Sequence, residues 1–108
     1  MKYQSIKNYI GGEFIAPNNT DTIDVISPID GTLLSTVPLS LSTDLNAAVA
    51  AAKKAFPAWS KTPIKERVQV FFKYKTLLEK NLKELAELCS EENGKTYGES
   101  VAEIEKCI

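Results

Sequence analysis

The chain has 108 residues, a length that fits one domain and lets roughly 65% of the unfolded surface be buried. Its 14 acidic and 13 basic side chains give a net charge of −1; neither residues 1–40, with 2 Lys against 4 acids, nor the slightly basic remainder attracts phosphate backbones, which argues against nucleic-acid binding. A hydrophobic content of 44% with 25% charged residues is globular rather than disordered composition.

The chain contains no His, which excludes His-based triads, His-ligated metals and His acid–base pairs. Two Cys, at 89 and 107, make neither a zinc site nor a disulfide framework. No apolar run approaches the ~18–20 residues of a membrane span. The opening residues lack the apolar centre of a signal peptide, so the expectation is a soluble cytoplasmic chain. Asn18-Asn19-Thr20 matches a glycosylation sequon, which in that compartment means only a polar turn.

Residues 1–40 alternate short β-prone runs with turn residues. Tyr9-Ile10 and Phe14-Ile15 flank Gly11-Gly12, a pair suited to the positive φ values of a tight hairpin. Pro17-Asn18-Asn19 breaks the run. The stretch from Thr22 to Ser27 alternates, with Ile23 and Val25 on one face, and Pro28-Ile29-Asp30-Gly31 reads as a turn. Leu33 to Val37 resumes as a strand. The pattern predicts two antiparallel hairpins or a short meander.

From Ser42 the period becomes helical. Ser42 is placed to cap a helix, and Asp44 in the first turn suits its dipole. Leu45, Val49, Ala52, Phe56 and Trp59 form one apolar stripe, and Pro57 should end the helix or loosen its last turn. Thr62-Pro63 reads as cap and first residue of a second helix. Its seam of Ile64, Val68, Phe71, Leu78, Leu82, Leu85 and Cys89 carries it to about Asn93, where Gly94 supplies a left-handed stop. Val70, Tyr74, Leu77 and Leu88 widen that seam. Thr96-Tyr97-Gly98-Glu99 fits a capping box opening a third helix, with the stripe Tyr97, Val101, Ile104 and Ile108. The pattern stops there without a terminator, which reads as a cut.

Few residues suggest chemistry. Gly94-Lys95-Thr96 resembles the end of a phosphate-binding loop, but Cys89 stands where that motif needs its first Gly and a helix precedes it. Cys89 on the helix seam reads as a packed core cysteine rather than a nucleophile, and Cys107 is an equally weak catalyst. Glu91-Glu92, Glu99 and Glu103 read as solvated helix faces. Trp59, Phe71, Phe72 and Tyr74 have the spacing of core residues rather than of a stacking site. Lys75 interrupts the seam, and its stem should lie along it with the ammonium meeting Glu79 or an acid such as Glu99 or Glu103.

The order of elements is nevertheless familiar. Asn8-Tyr9-Ile10-Gly11-Gly12-Glu13-Phe14 resembles the opening of the aldehyde dehydrogenase superfamily. Ser27-Pro28-Ile29-Asp30-Gly31 is similar to that family's Asn-Pro-x-Thr-Gly turn, with Ser27 and Asp30 replacing Asn and Thr. The stretch from Asp44 to Ala52, then Ala55-Phe56 and Trp59, resembles its first helix, and Leu85 to Lys95 resembles the segment ending in Gly-Lys. Ala58-Trp59-Ser60-Lys61-Thr62-Pro63, Arg67 and Phe72-Lys73-Tyr74-Lys75 are similar to the CoA-acylating methylmalonate-semialdehyde dehydrogenase branch.

The resemblance implies an α/β fold, in which residues 1–108 are the N-terminal part of an NAD-binding domain: β-hairpins over 1–40 and helices over 42–108. It implies a parent enzyme that oxidises a small aldehyde with NAD. A cysteine thiolate attacks the carbonyl, hydride leaves to the nicotinamide, and the thioester passes to water or to coenzyme A, with loss of carbon dioxide from a substrate bearing a free carboxylate. The implied partners are the rest of the same subunit and further copies in a homo-oligomer, with no nucleic acid and no membrane. No catalytic, cofactor-binding or metal-binding residue is carried over, because the family's nucleophile, general base and dinucleotide turn match nothing in this sequence. The alternatives are a free-standing helical interaction module or another branch of the family.

Overall fold

A computed structural model describes residues 1–19 and 21–108, so Thr20 of the sequon lies outside the described residues. Two compact units result, one formed by residues 1–26 with 33–61 and the other by 27–32 with 62–108.

In the first unit, β1 (Asn8–Ile10) and β2 (Glu13–Ile15) pair antiparallel across Gly11 and Gly12. The φ values of these glycines, 63° and 92°, are those the expected tight turn requires. The turn sets Tyr9 opposite Phe14, with ring centroids 4.9 Å apart. β3 (Thr22–Ile26) and β4 (Leu33–Pro38) form the second hairpin, from Thr22 opposite Pro38 to Ile26 opposite Leu33, with a bulge between Val25 and Ile26. Both expected hairpins are present as separate two-stranded sheets. Periodicity gave no sign that the first residues would run beside β4. Tyr3 N–H donates to Leu34 O at 2.7 Å and Ile6 N–H to Thr36 O at 2.9 Å. Leu34 and Ser35 are buried at this strand, and the Ser35 hydroxyl donates to Gln4 O at 2.7 Å.

α1 (Ser42–Lys61) starts differently from the expectation. Leu41, not Ser42, is the capping position: its carbonyl accepts from Asp44 N–H and Leu45 N–H at 3.0 and 3.1 Å. The carboxylate of Asp44 reaches back to Leu41 N–H at 2.9 Å and also accepts from the Asn18 side-chain amide at 2.7 Å. One acid thus caps the helix and ties the preceding loop to it, and it is only 5% exposed. The helix also continues through Pro57 to Lys61. Proline removes one rung of the ladder, and so close to the end one remaining turn survives, with the Ser60 hydroxyl donating to Pro57 O at 3.2 Å.

In the second unit, residues 27–32 form a self-bonded turn. Ser27 N–H donates to Thr32 O and Gly31 N–H to Ser27 O, both at 2.9 Å, and Thr32 N–H donates to Asp30 Oδ1 at 3.0 Å. α2 (Ile64–Lys80) is capped at Pro63, whose ψ of 142° keeps it outside the helix, so the start lies one residue later than Thr62-Pro63 predicted. The single long helix expected to Asn93 is two. Asn81 breaks it into α2 and α3 (Leu82–Asn93), giving four helices rather than three among the described residues. The Asn81 side-chain amide donates to Leu77 O at 2.7 Å, the carbonyl its own backbone N–H also uses, and the residue settles at φ −105°, ψ 13°. α4 (Tyr97–Glu105) packs on α3 through small residues; Ala86 and Ser100 are fully buried, and small side chains let the two backbones approach closely. α4 ends at Glu105, and the last residues form a turn in which Ile108 N–H donates to Glu105 O.

The apolar stripes did not become a core. No α2 residue is buried, and Leu45 and Phe56 of α1 are 64% and 66% exposed. Trp59, Phe71, Phe72 and Tyr74 are exposed as well, contrary to their expected packing. Among the described residues only Leu34 and Ala86 are buried apolar side chains. The reason is geometric: α1 meets β1, and among the described residues most large side chains of its stripe and of α2 stay exposed within their units.

Asp44 therefore supplies unusual order for one surface-helix acid. Asp44→Ala should cost about 1.5–3 kcal/mol, the range for hydrogen bonds to a charged group, read by urea denaturation; a loss within about 0.5 kcal/mol, typical of surface substitutions, would show that the Asn18 and Leu41 bonds contribute nothing net.

Candidate functional site

Lys95, Thr96, Glu99, Glu103 and Cys89, all singled out in the sequence, meet at one place, the junction of α3 and α4. Gly94 ends α3 in the left-handed conformation at φ 69°, and its N–H donates to Ser90 O at 2.9 Å. A Cβ at this glycine would lie 3.1 Å from the Pro28 ring, so the position is closed both by its dihedral and by the neighbouring turn. The Ser90 hydroxyl reaches over the junction to Lys95 O at 2.7 Å. Thr96 and Glu99 form the expected capping box: the Thr96 hydroxyl accepts from Glu99 N–H at 3.3 Å and the Glu99 carboxylate accepts from Thr96 N–H at 3.1 Å.

This geometry answers the phosphate-loop reading. Lys95 is hydrogen-bonded to Glu103, two turns beyond the Thr96 cap, and Thr96 is held by Glu99. The charges that would meet a phosphate are thus paired inside the chain. Glu103 holds the Lys95 ammonium above its ordinary value, and the same bond holds the Glu103 carboxyl below its own. The Thr96 hydroxyl and N–H lower Glu99 in the same way, and Thr32 N–H lowers Asp30.

The cysteines are not core residues. Cys89 is half-buried, with its thiol 3.7 Å from Glu103 Oε2 and the Asn93 amide 3.9 Å from its sulfur. The seam that was to bury it ends in this polar junction because α4 brings Glu103 over it. Cys107 is exposed, its thiol 3.7 Å from Glu103 O. Lys75 pairs with Glu79 at 3.7 Å, as its spacing suggested, with both side chains about half exposed. No group of three or more Cys, Asp and Glu side chains gathers as a metal site among the described residues. No helix among them is long and apolar enough to cross a membrane.

In the first unit, an open groove of about 460 Å³ lies where β1 meets the start of α1, lined by Tyr9, Ile10, Leu41, Leu45 and Ala48. Its one acid, Asp44, is already bonded to Asn18 and Leu41. The one carboxylate beside a thiol at the α3–α4 junction, Glu103 next to Cys89, is already paired with Lys95, and the groove's acid is committed to Asn18 and Leu41, so no catalytic role is assigned to either place.

The junction gives the second unit a defined pH response. Glu99, Glu103 and Asp30 have folded values below their ordinary ones, so their contribution is present above the ordinary values of 4.5 and 3.8 and is lost as pH falls through the lowered ones. Lys95 is raised, so its contribution persists below 10.5 and is lost as pH rises through the higher folded value. The helical signal should melt at lower temperature below pH 4.5 than at pH 7, and Glu103→Gln should flatten that acid limb. An unchanged acid limb in Glu103→Gln would remove Glu103 from the response.

Residues 14–108 match the model of the aldehyde dehydrogenase family. The chain is 47% identical over 105 residues to malonate-semialdehyde dehydrogenase 1 of Geobacillus thermodenitrificans, covering 97% of this chain and 22% of that protein. It superposes with a TM-score of 0.90 and 35% identity on a candidate methylmalonate-semialdehyde dehydrogenase from Sinorhizobium meliloti 1021 crystallised with NAD, covering 99% of this chain and 22% of that one. On lactaldehyde dehydrogenase from Escherichia coli the TM-score is 0.91 at 27% identity, covering 94% and 21%. The chain thus spans about one fifth of the length of the proteins it matches. The family match and the backbone superposition both extend over nearly the whole chain, and the chain belongs to the aldehyde dehydrogenase family.

Proposed function

We propose that these 108 residues are the N-terminal part of the NAD-binding domain of a malonate- or methylmalonate-semialdehyde dehydrogenase, and that the parent enzyme passes its acyl group to coenzyme A. The observation that carries this reading is the 47% identity across 97% of the chain to a malonate-semialdehyde dehydrogenase. The uncovered apolar faces of α1 and α2 support it, because the rest of such a subunit would supply the surfaces that bury them. The role of this part is structural. The one phosphate-like motif is closed by the Lys95–Glu103 pair and the Thr96 cap, so that motif offers no dinucleotide phosphate site, and no step of the oxidation is assigned to these residues. Homo-oligomers of the parent and a cytoplasmic location complete the proposal; two free thiols suit a reducing compartment.

The isolated chain should reduce no NAD with malonate or methylmalonate semialdehyde, with or without coenzyme A. The full-length parent should do so and release an acyl-CoA. A free acid as the product in the presence of coenzyme A would place the parent in a hydrolytic branch, and turnover by the isolated chain would overturn the structural role.

The exposed stripes also predict how the isolated chain behaves. Each large side chain left uncovered forgoes about 1.5–3 kcal/mol of burial, and contiguous apolar surface of this kind associates. Sedimentation should show self-association, and melting should be broad. A monodisperse monomer with a sharp transition at high temperature would mean that the two units are complete without a covering surface.

A further inference from the structure

We infer that Asn93 is a site of spontaneous deamidation that the fold holds closed, so that loss of its side-chain amide records opening of the α3 terminus. Asn followed by Gly is the pairing most open to this reaction, because the Gly N–H has no Cβ beside it to hinder attack. Asn93-Gly94 is the one such pair in the sequence, the other Asn residues being followed by larger side chains. The reaction needs only water. The deprotonated Gly94 nitrogen attacks the Asn93 side-chain carbon, the N–C bond of the ring forms, and the amide nitrogen leaves as ammonia. Water then opens the ring at either carbonyl, leaving Asp or its backbone-shifted isomer. No oxidant or reductant takes part.

The geometry sets the gate. Gly94 N–H, the nucleophile, is committed to Ser90 O at 2.9 Å, and the Asn93 amide donates to Cys89 O at 3.0 Å. Asn93 is the last helical residue of α3 and Gly94 is fixed at φ 69° beside Pro28, so the swing that brings the nitrogen onto the side-chain carbon breaks both bonds. The side chain itself is exposed, so water is at hand once they break. Asp30-Gly31, the comparable acid pair, is less reactive because its carboxyl is ionised at neutral pH, and a carboxylate is a poor electrophile. Modification would be one-way. An acid at 93 loses the donor to Cys89 O and puts a negative charge at the carbonyl end of α3, close to Glu92, where the helix dipole opposes it.

The test follows the 108-residue chain at neutral pH by peptide mass spectrometry, reading the Asn93 peptide for conversion to Asp and its isomer. Hydrogen exchange of the Gly94 amide is read in the same samples. In denaturing urea the peptide should convert, and Gly94→Ala should slow that conversion severalfold by restoring the Cβ that hinders attack. In native buffer the conversion should fall by the same factor as Gly94 amide exchange, since both need the same opening. Thr96→Ala, which removes the neighbouring cap, should raise both native rates together and leave the urea rate alone. Conversion in native buffer that outpaces amide opening would overturn the gate, and no conversion in urea, or none altered by Gly94→Ala, would overturn the site.

Discussion

Hydrogen bonding to a few buried polar side chains takes the place, in this chain, of an extensive apolar core. Asp44, Ser27, Ser35 and Ser100 are buried, against Leu34 and Ala86 among the apolar side chains described. Each buried polar group has to be satisfied, since an unmet donor or acceptor costs more than a met one contributes. That requirement dictates local geometry. The Asp44 carboxylate fixes where α1 begins and where the Asn18 loop lies, and the Ser35 hydroxyl fixes Gln4 beside β4. The Ser100 hydroxyl donates to Thr96 O at 3.0 Å, so even the tightest helix contact is closed by a polar bond.

The same balance explains the exposed apolar surface. Helical periodicity guarantees that Leu45, Val49, Phe56 and Trp59 share a face of α1, but a shared face is buried only when another surface arrives to cover it. β1 meets α1, and Ala48, Ala51, Ala52 and Ala55 line an open groove there together with Ile10 and the Gly11-Gly12 turn. The large side chains stay in water. A chain matching about one fifth of its relatives' length is consistent in energy with such a surface, since the hydrophobic term is proportional to the area actually removed from water.

At the α3–α4 junction, the residues that look reactive in sequence are neutralised by one another. Gly94 takes a backbone conformation that side chains resist, Thr96 and Glu99 satisfy the opening N–H groups of α4, and Lys95 and Glu103 pair across it. The resulting site is a joint. Its chemistry is the slow chemistry of Asn93 beside a glycine, which the joint restrains.

Much of this was legible in the residues alone. Gly11-Gly12 specified a turn because two consecutive positive φ values admit little else, and Thr96 to Glu99 specified a cap because the side chains reach only their own helix end. The family was legible too, through short motifs in the right order. Such features are local, decided within a few residues by sterics and hydrogen-bond reach. The break at Asn81, the passage of α1 through Pro57 and the capping of α1 by Asp44 rather than Ser42 turned on competition between nearly equal local bonds. The pairing of the first residues with β4, the polar surroundings of Cys89 and the exposure of Trp59 and Phe71 depended on which distant segments arrive. Periodicity names the face of a helix, but only the tertiary structure decides whether anything lies against it, because burial is a property of two surfaces and a sequence pattern describes one.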